Sequence, residues 1–305
     1  MNHDLTPMRS LFLSSLFLLN FLHISAQDST STQPSNALVA LEGFSFPVWH
    51  SAGQAPRAQE MARLCERAMN YMDSVLQFRP VMELKVLAAA DWSAHTSFPV
   101  YGMPHPVDEK ILVLAAEDNP FWRSFIPDLS QLPPDLATEV RSVYGTAYGG
   151  LSMQPFFDLL VLHELGHLYH LQKPVKFGRA WLGELFANVF LHTFIAERET
   201  ERLGALIVLP SMVVERGTEG FSFTTLSQLE ENYALITNEH PTNYGWYQCK
   251  WHSSAANIYD QGGVDALRNY WSCFAVPREK LDDAALVLLL REQVHPCVAK
   301  VMTEW

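Results

Sequence analysis

The sequence predicts an α+β fold, with an N-terminal α/β part that contains a small mixed sheet and a C-terminal part that is mainly helical. Both clear strand candidates, residues 81–88 and 110–116, lie in the first half of the chain. From residue 155 onwards, almost every apolar segment has the spacing of an amphipathic or buried helix. Strands followed by helices are typical of the α+β class.

The composition indicates a folded globular chain. Of 305 residues, 48% are hydrophobic and 18% are charged, which excludes intrinsic disorder and suffices for a large core. The chain has 21 Lys and Arg against 33 Asp and Glu, a formal net charge of −12, and no basic run. Because phosphate binding needs clustered cations, we expect neither nucleic acid nor anionic lipid as a partner.

The N-terminus is typical of an export signal. Residues 11–22 are mostly apolar, which is too short for a membrane-spanning helix of about 20 residues but sufficient for the core of a signal peptide. Arg9 supplies the preceding positive charge, and cleavage is expected after Ala26. We therefore predict a signal peptide at 1–26, a flexible leader at 27–37 and a secreted or periplasmic protein without a membrane span. The alternative is a buried first helix.

The other elements follow in order along the mature chain. Apolar residues at i+3 and i+4 predict a first helix at 58–78, ahead of the two strands, and residues 117–134 read as loop or short helices. The predicted helices of the second half are 155–171, 179–197, 226–237, 246–259, 264–274 and 281–290, with a loop at 239–245. We place the boundary between the α/β part (38–172) and the helical part (173–305) at the proline that ends the helix 155–171.

Four cysteines leave the redox state open. Cys65, Cys249, Cys273 and Cys297 form no CxxC pair, so a metal site built from cysteines is not predicted. In an oxidising compartment they could form one or two disulfides. The alternative is four buried free thiols.

An HExxH motif lies in the helix 155–171. His163 and His167 are four residues apart, so both imidazoles lie on one face of the helix and can reach a single Zn²⁺ ion. Glu164 follows the first histidine and can act as a base on a metal-activated water without binding the metal. The alternative is a buried helix whose two histidines are merely hydrogen-bonded.

The next helix supplies a candidate third ligand. Glu184 is the only acid in the helix before Glu197, and it stands among apolar residues, where a carboxylate needs a positive partner. Sixteen residues separate it from His167, enough for a turn and a returning helix. Asn188 lies on the same face as Glu184, and its amide oxygen could accept the outer N–H of a ligand histidine.

This pattern resembles the gluzincin zinc metallopeptidases, which have the thermolysin-like fold of the MA clan. The resemblance covers residues 155–194. This chain departs from it in two ways: the gap before Glu184 is shorter than in most members, and Asn188 stands where members usually have an acid. It implies one Zn²⁺ held by His163, His167 and Glu184, Glu164 as general base, and a zinc cleft between the two parts of the chain.

The resemblance leaves several roles open. His170 stands where the rival metzincin pattern requires glycine, and it is either a fourth metal contact or, as we expect, a histidine of the cleft or surface. In gluzincins a His or Tyr of the C-terminal half stabilises the oxyanion. The candidates in the predicted loop are His240 and Tyr244, and the reserves are Tyr233 and Tyr247; the alternative is that these side chains only pack.

The family also binds its substrate along an exposed edge strand. By resemblance, residues 110–116 are the expected edge strand, and residues 101–105 are expected to shape the cleft. Taken together, these observations predict a secreted zinc metallopeptidase whose substrate is a peptide or protein. Two alternatives remain: a zinc-containing binding or surface protein without turnover, and a hydrolase of a non-peptide amide.

Overall fold

A computed structural model describes residues 37–173, 175–276 and 279–305. The predicted signal peptide and all but the last residue of the predicted leader lie outside these residues. The described residues form a mixed α+β fold with one five-stranded sheet and eleven α-helices, which confirms the predicted class.

The sheet is small and mixed. Its strands are β1 (Val39–Ala40), β2 (Val48–His50), β3 (Glu83–Leu87), β4 (His105–Pro106) and β5 (Ile111–Ala115). They lie in the order β1-β2-β3-β5-β4, with β2, β3 and β5 parallel and the two outer strands antiparallel. The predicted strands at 81–88 and 110–116 are therefore confirmed as β3 and β5.

The expectation that residues 110–116 form the exposed edge is wrong. Strand β4 pairs with β5 through His105–Val113 and Pro106–Leu112, and so covers part of that edge. A strand of two residues that contains a proline has no readable alternation, and this is why the sequence did not predict it.

Eleven α-helices contain most of the described residues outside the sheet. They are α1 (Ala55–Leu76), α2 (Ala89–His95), α3 (Pro120–Arg123), α4 (Pro134–Tyr144), α5 (Gln154–Gln172), α6 (Ala180–Arg198), α7 (Leu203–Glu215), α8 (Leu226–Glu239), α9 (Pro241–Phe274), α10 (Asp283–Leu289) and α11 (Pro296–Thr303). Both ends of α5 and of α6 lie within one residue of the prediction. Helix α1 begins three residues early, because Pro56 fits the first turn, where its missing N–H costs nothing. Helix α7 was not predicted.

The predicted loop at 239–245 is wrong. Helix α9 begins at Pro241, again with proline in the first turn, and Tyr244 therefore lies on a helix. The two predicted helices 246–259 and 264–274 belong to this same segment. It kinks at Gly263, whose φ of 54° is accessible to glycine.

Helix α5 lies at the centre of the molecule. It contacts β4 and β5 on one side and α1, α6 and α7 on others, while α6 packs in turn against α9. Every residue from Phe156 to His170 is buried, so α5 has no polar face towards water. Its polar side chains must therefore find partners inside the protein.

All four cysteines are buried in the reduced form, so the disulfides considered from the sequence are not formed. Burial raises the pKa of Cys65 and of Cys249 to about 12. Within the described parts of the chain, no helix combines the length and the apolar composition needed to cross a membrane.

Candidate metal centre

The two histidines of the HExxH motif face each other on α5. One helical turn separates them, and their Nε2 atoms lie 3.0 Å apart with the rings nearly perpendicular. Both side chains are buried. The helix spacing has thus turned two ring nitrogens towards the same point, as the sequence predicted.

Helix α6 brings Glu184 to that point because it packs very closely on α5. A Cβ atom on Gly166 would lie only 3.1 Å from the Cα of Ala187, so no residue larger than glycine fits here without movement. At this separation, Oε2 of Glu184 lies 3.3 Å from Nε2 of His163 and 3.5 Å from Nε2 of His167.

The spacing of the three atoms matches a metal site. Ligand atoms bound tetrahedrally to one zinc ion at 2.0–2.1 Å lie about 3.3 Å from one another. The three observed distances, 3.0, 3.3 and 3.5 Å, lie around that value. Among the described residues this is the one group of three or more His, Cys, Asp or Glu side chains that is close enough to hold a metal ion.

The surroundings of Glu184 favour the ionised form of its carboxylate. Burial alone would raise the pKa of Glu184, but the positive field of His167 and the hydrogen bonds from both histidines lower that pKa well below its usual range. An ionised carboxylate together with two imidazoles is a donor set that suits zinc.

A closed ring of hydrogen bonds holds Glu184 from the opposite side. The Tyr233 hydroxyl donates to Oε1 (3.0 Å), and the Gln248 amide donates to Oε2 (2.8 Å). The same amide nitrogen donates to the Tyr244 hydroxyl (2.9 Å), which lies 3.2 Å from that of Tyr233. We call these four residues the carboxylate ring.

His170 has neither of the roles that the sequence left open. It is buried rather than on the surface, and it is not in the ligand group. Its Nε2 lies 2.8 Å from Nδ1 of His167. Burial and the adjacent His167 lower the pKa of His170 to about 3, so it is neutral and can accept the Nδ1–H of His167. That bond leaves the lone pair of His167 on Nε2, facing the site.

Asn188 does not act as predicted. Its amide nitrogen donates to the backbone oxygen of Glu184 (3.0 Å) and to Oε1 of Gln248 (3.2 Å). Its own oxygen is buried and, like Nδ1 of His163, has no partner among the described residues. Asn188 therefore supports the carboxylate ring instead of a histidine.

Glu164 is beside the ligands but outside their group. Its side chain is buried, and Oε2 has no hydrogen-bond partner in the described part of the chain. Burial raises its pKa to about 8, with Glu184 adding to the rise and His167 opposing it. A carboxyl group that can take up and release a proton therefore stands next to the cluster.

A cavity of about 660 Å³ reaches this site at His163 and Glu164. His163, Glu164 and Gln248 lie in its wall, as does Met103 from the segment 101–105. The rest of the lining is mainly apolar, and it includes Phe125, Phe156, Phe157, Leu160, Leu209, Val213, Phe221, Trp246 and Cys249. This volume and lining suit a substrate with apolar groups.

His252 also lines the cavity, and the sequence analysis missed it. Its ring lies 6.4 Å from that of His163, and its Nδ1 has no partner among the described residues. Burial, followed by the fields of His163 and His192, lowers the pKa of His252 well below its usual value, so the ring is neutral. The missed signal was its spacing: His252 follows Gln248 by four residues, and Gln248 follows Tyr244 by four.

The predicted oxyanion donors lie elsewhere. The ring of His240 packs on Phe223 (5.3 Å between centroids), and His240 is not among the residues that line the cavity. Tyr244 and Tyr233 belong to the carboxylate ring, while the Tyr247 hydroxyl donates to the backbone oxygen of Thr225 (2.8 Å). None of the four tyrosine and histidine candidates is in the cavity wall.

Comparisons with known protein families, with curated proteins and with solved structures found no match.

Proposed function

We propose that this chain is a zinc-dependent metallopeptidase similar to the gluzincins, with the ion held by His163, His167 and Glu184. One observation carries the proposal: beside three converging ligand atoms, Glu164 keeps a carboxylate oxygen without a protein partner and borders a cavity. A metal site that only stabilises the fold needs neither a non-ligand acid nor a cavity.

The residues around the cavity would have distinct roles in the reaction. When bound, a zinc ion supplies a Lewis acid that polarises a carbonyl group and makes water more acidic. Glu164 takes a proton from the attacking water and gives it to the leaving amine nitrogen. His252, in the cavity wall, is better placed than His240 or Tyr244 to donate a hydrogen bond to the substrate carbonyl oxygen.

The decisive experiment compares metal content with peptide cleavage. We expect purified wild-type protein and Glu164→Gln to carry one zinc ion each, and His163→Ala to carry none. Wild-type protein should digest a peptide library unless a chelator is present, and Glu164→Gln should be slower by about 10²–10⁴-fold.

Each alternative has its own result. Full cleavage by Glu164→Gln would show that Glu164 is not the base. A zinc-loaded wild-type protein that cleaves no peptide would favour the non-catalytic binding protein, and cleavage restricted to non-peptide amides would favour the other hydrolase. We also propose that the protein is exported, and sequencing its mature N-terminus should then find Gln27 first.

A further inference from the structure

The two oxygens of Glu184 are held in different ways. Oε2 is the oxygen that faces Nε2 of His163 and of His167, and Oε1 receives the hydroxyl of Tyr233. A carboxylate can bind a metal ion through one oxygen or through both. Which of these occurs decides how many positions around the ion remain for water and substrate.

For each hydrogen bond of the carboxylate ring, the donor and the acceptor can be assigned. Gln248 uses both amide hydrogens, one for Oε2 of Glu184 and one for the Tyr244 hydroxyl. The single hydroxyl hydrogen of Tyr233 is given to Oε1 of Glu184, so the contact between the two phenols is a donation from Tyr244 to Tyr233. Glu184 therefore accepts a hydrogen bond at both of its oxygens.

The ring is also fixed from outside. The phenol rings of Tyr233 and Tyr244 meet edge to face, with centroids 6.0 Å apart. Oε1 of Gln248 accepts from Asn188, which also holds the backbone oxygen of Glu184. Gln248 therefore has no remaining donor for a substrate, although it lies in the cavity wall.

We propose that Tyr233 and Gln248 are positioning residues that restrict Glu184 to a single-oxygen contact with the metal ion through Oε2, and thereby keep a coordination position open for the reaction. The inference rests on the proposed metal site. Tyr233 occupies Oε1, so that this oxygen does not turn to the ion. Gln248 fixes the direction of Oε2.

The test uses Co²⁺ as the probe, because its visible absorption is strong with four ligands and weaker with five. Full-length protein is freed of metal, titrated with Co²⁺, and compared with Tyr233→Phe and Gln248→Leu. Tyr247→Phe is the matched control, since it also removes one phenol hydroxyl, from the adjacent helix α9, and among the described residues that hydroxyl bonds to the backbone oxygen of Thr225 and not to the carboxylate ring.

We expect the Tyr233→Phe spectrum to lose intensity, because Oε1 is released and joins the ion as a further ligand. Gln248→Leu should bind Co²⁺ about 10–100-fold more weakly, as is typical when a partner of a metal ligand is removed. Tyr247→Phe should match the wild-type protein in both measurements.

The failure of this inference differs from the failure of the proposed function. If the wild-type protein binds no Co²⁺, the metal site itself is wrong and the inference fails with it. If the wild-type protein binds Co²⁺ and the Tyr233→Phe spectrum and affinity equal those of Tyr247→Phe, only the positioning role is overturned. The Tyr233 variant removes one atom, so the test does not depend on whether Gln248→Leu folds.

Discussion

Replacing Gly166 with alanine tests how closely α5 and α6 must pack to build the metal centre. The new Cβ would lie 3.1 Å from the Cα of Ala187 and 3.4 Å from both the Cβ of Ala187 and the ring of Phe190. The nearest of these atoms is backbone and cannot rotate away. An alanine within a helix is favoured over glycine by about 1 kcal/mol, whereas overpacking a core costs about 1–3 kcal/mol. We therefore expect a net loss of stability of up to about 2 kcal/mol.

The same crowding should weaken metal binding. The strain is relieved only if the two helices separate, and Glu184 lies on α6 one turn before Ala187. Its Oε2 would then move away from His163 and His167. Gly183 provides a matched control on α6, because a Cβ there meets only ordinary contacts, the nearest at 3.6 Å. Gly183→Ala should be neutral or stabilising by up to about 1 kcal/mol.

Two measurements check this reasoning. Urea unfolding of the metal-free variants gives the free energy of unfolding, and zinc titration gives the metal affinity. Gly166→Ala should lose both stability and affinity, while Gly183→Ala should lose neither. If Gly166→Ala is more stable than the wild-type protein and binds zinc equally well, the close approach of the helices is not what places Glu184.

Three further predictions concern the surroundings of the site and the core. His170→Leu removes the acceptor of the His167 Nδ1–H, so zinc affinity should fall about 10–100-fold in a titration, and an unchanged affinity would contradict the role. Arg57→Met leaves the buried carboxylate of Asp158 unpaired and should cost about 3–5 kcal/mol in urea unfolding, whereas adding Asp158→Leu should restore much of this. The thiols of Cys65 and Cys249 have a pKa of about 12 in the folded protein and near 8.5 in the unfolded chain, so their contribution to stability is complete below pH 8.5 and is lost as the pH rises towards 12. Urea unfolding should show the free energy of unfolding falling from about pH 9 upwards, by about 1.4 kcal/mol per pH unit for each thiol. A flat profile would contradict this prediction.

The elements that carry the metal ligands were predictable because their signals are local. Helices α5 and α6 are long apolar segments with clear ends, and the sequence predicted each end within one residue. The two histidines are fixed relative to each other by a single helical turn. Glu184 could be added because it is the only acid before Glu197 in an otherwise apolar helix, where a carboxylate requires a partner.

Proline caused two of the errors. Pro241 was read as part of a loop, but in the first turn of a helix proline loses no hydrogen bond. Pro106 lies in a strand of two residues, which is too short to show any alternation, and so β4 was missed and β5 was taken for the edge. In both cases the backbone conformation that proline prefers fits an irregular segment as well as the observed helix start or edge strand. The packing of the rest of the protein decided which of the two formed.

The contacts that hold Glu184 were beyond sequence analysis for a different reason. Tyr233 and Gln248 contact Glu184 across 49 and 64 residues of sequence, on helices whose placement depends on the whole core. Tyr244, Gln248 and His252 recur every four residues, so one face of α9 serves the carboxylate ring with its first two members and the cavity with the third. Tyr244 was placed in the predicted loop 239–245, ahead of the predicted helix 246–259 that contains Gln248 and His252, and this boundary hid the periodicity. The ion that this site would hold thus takes two ligands from a short motif and the third from the next helix, while the side chains that hold this third ligand come from α8 and α9.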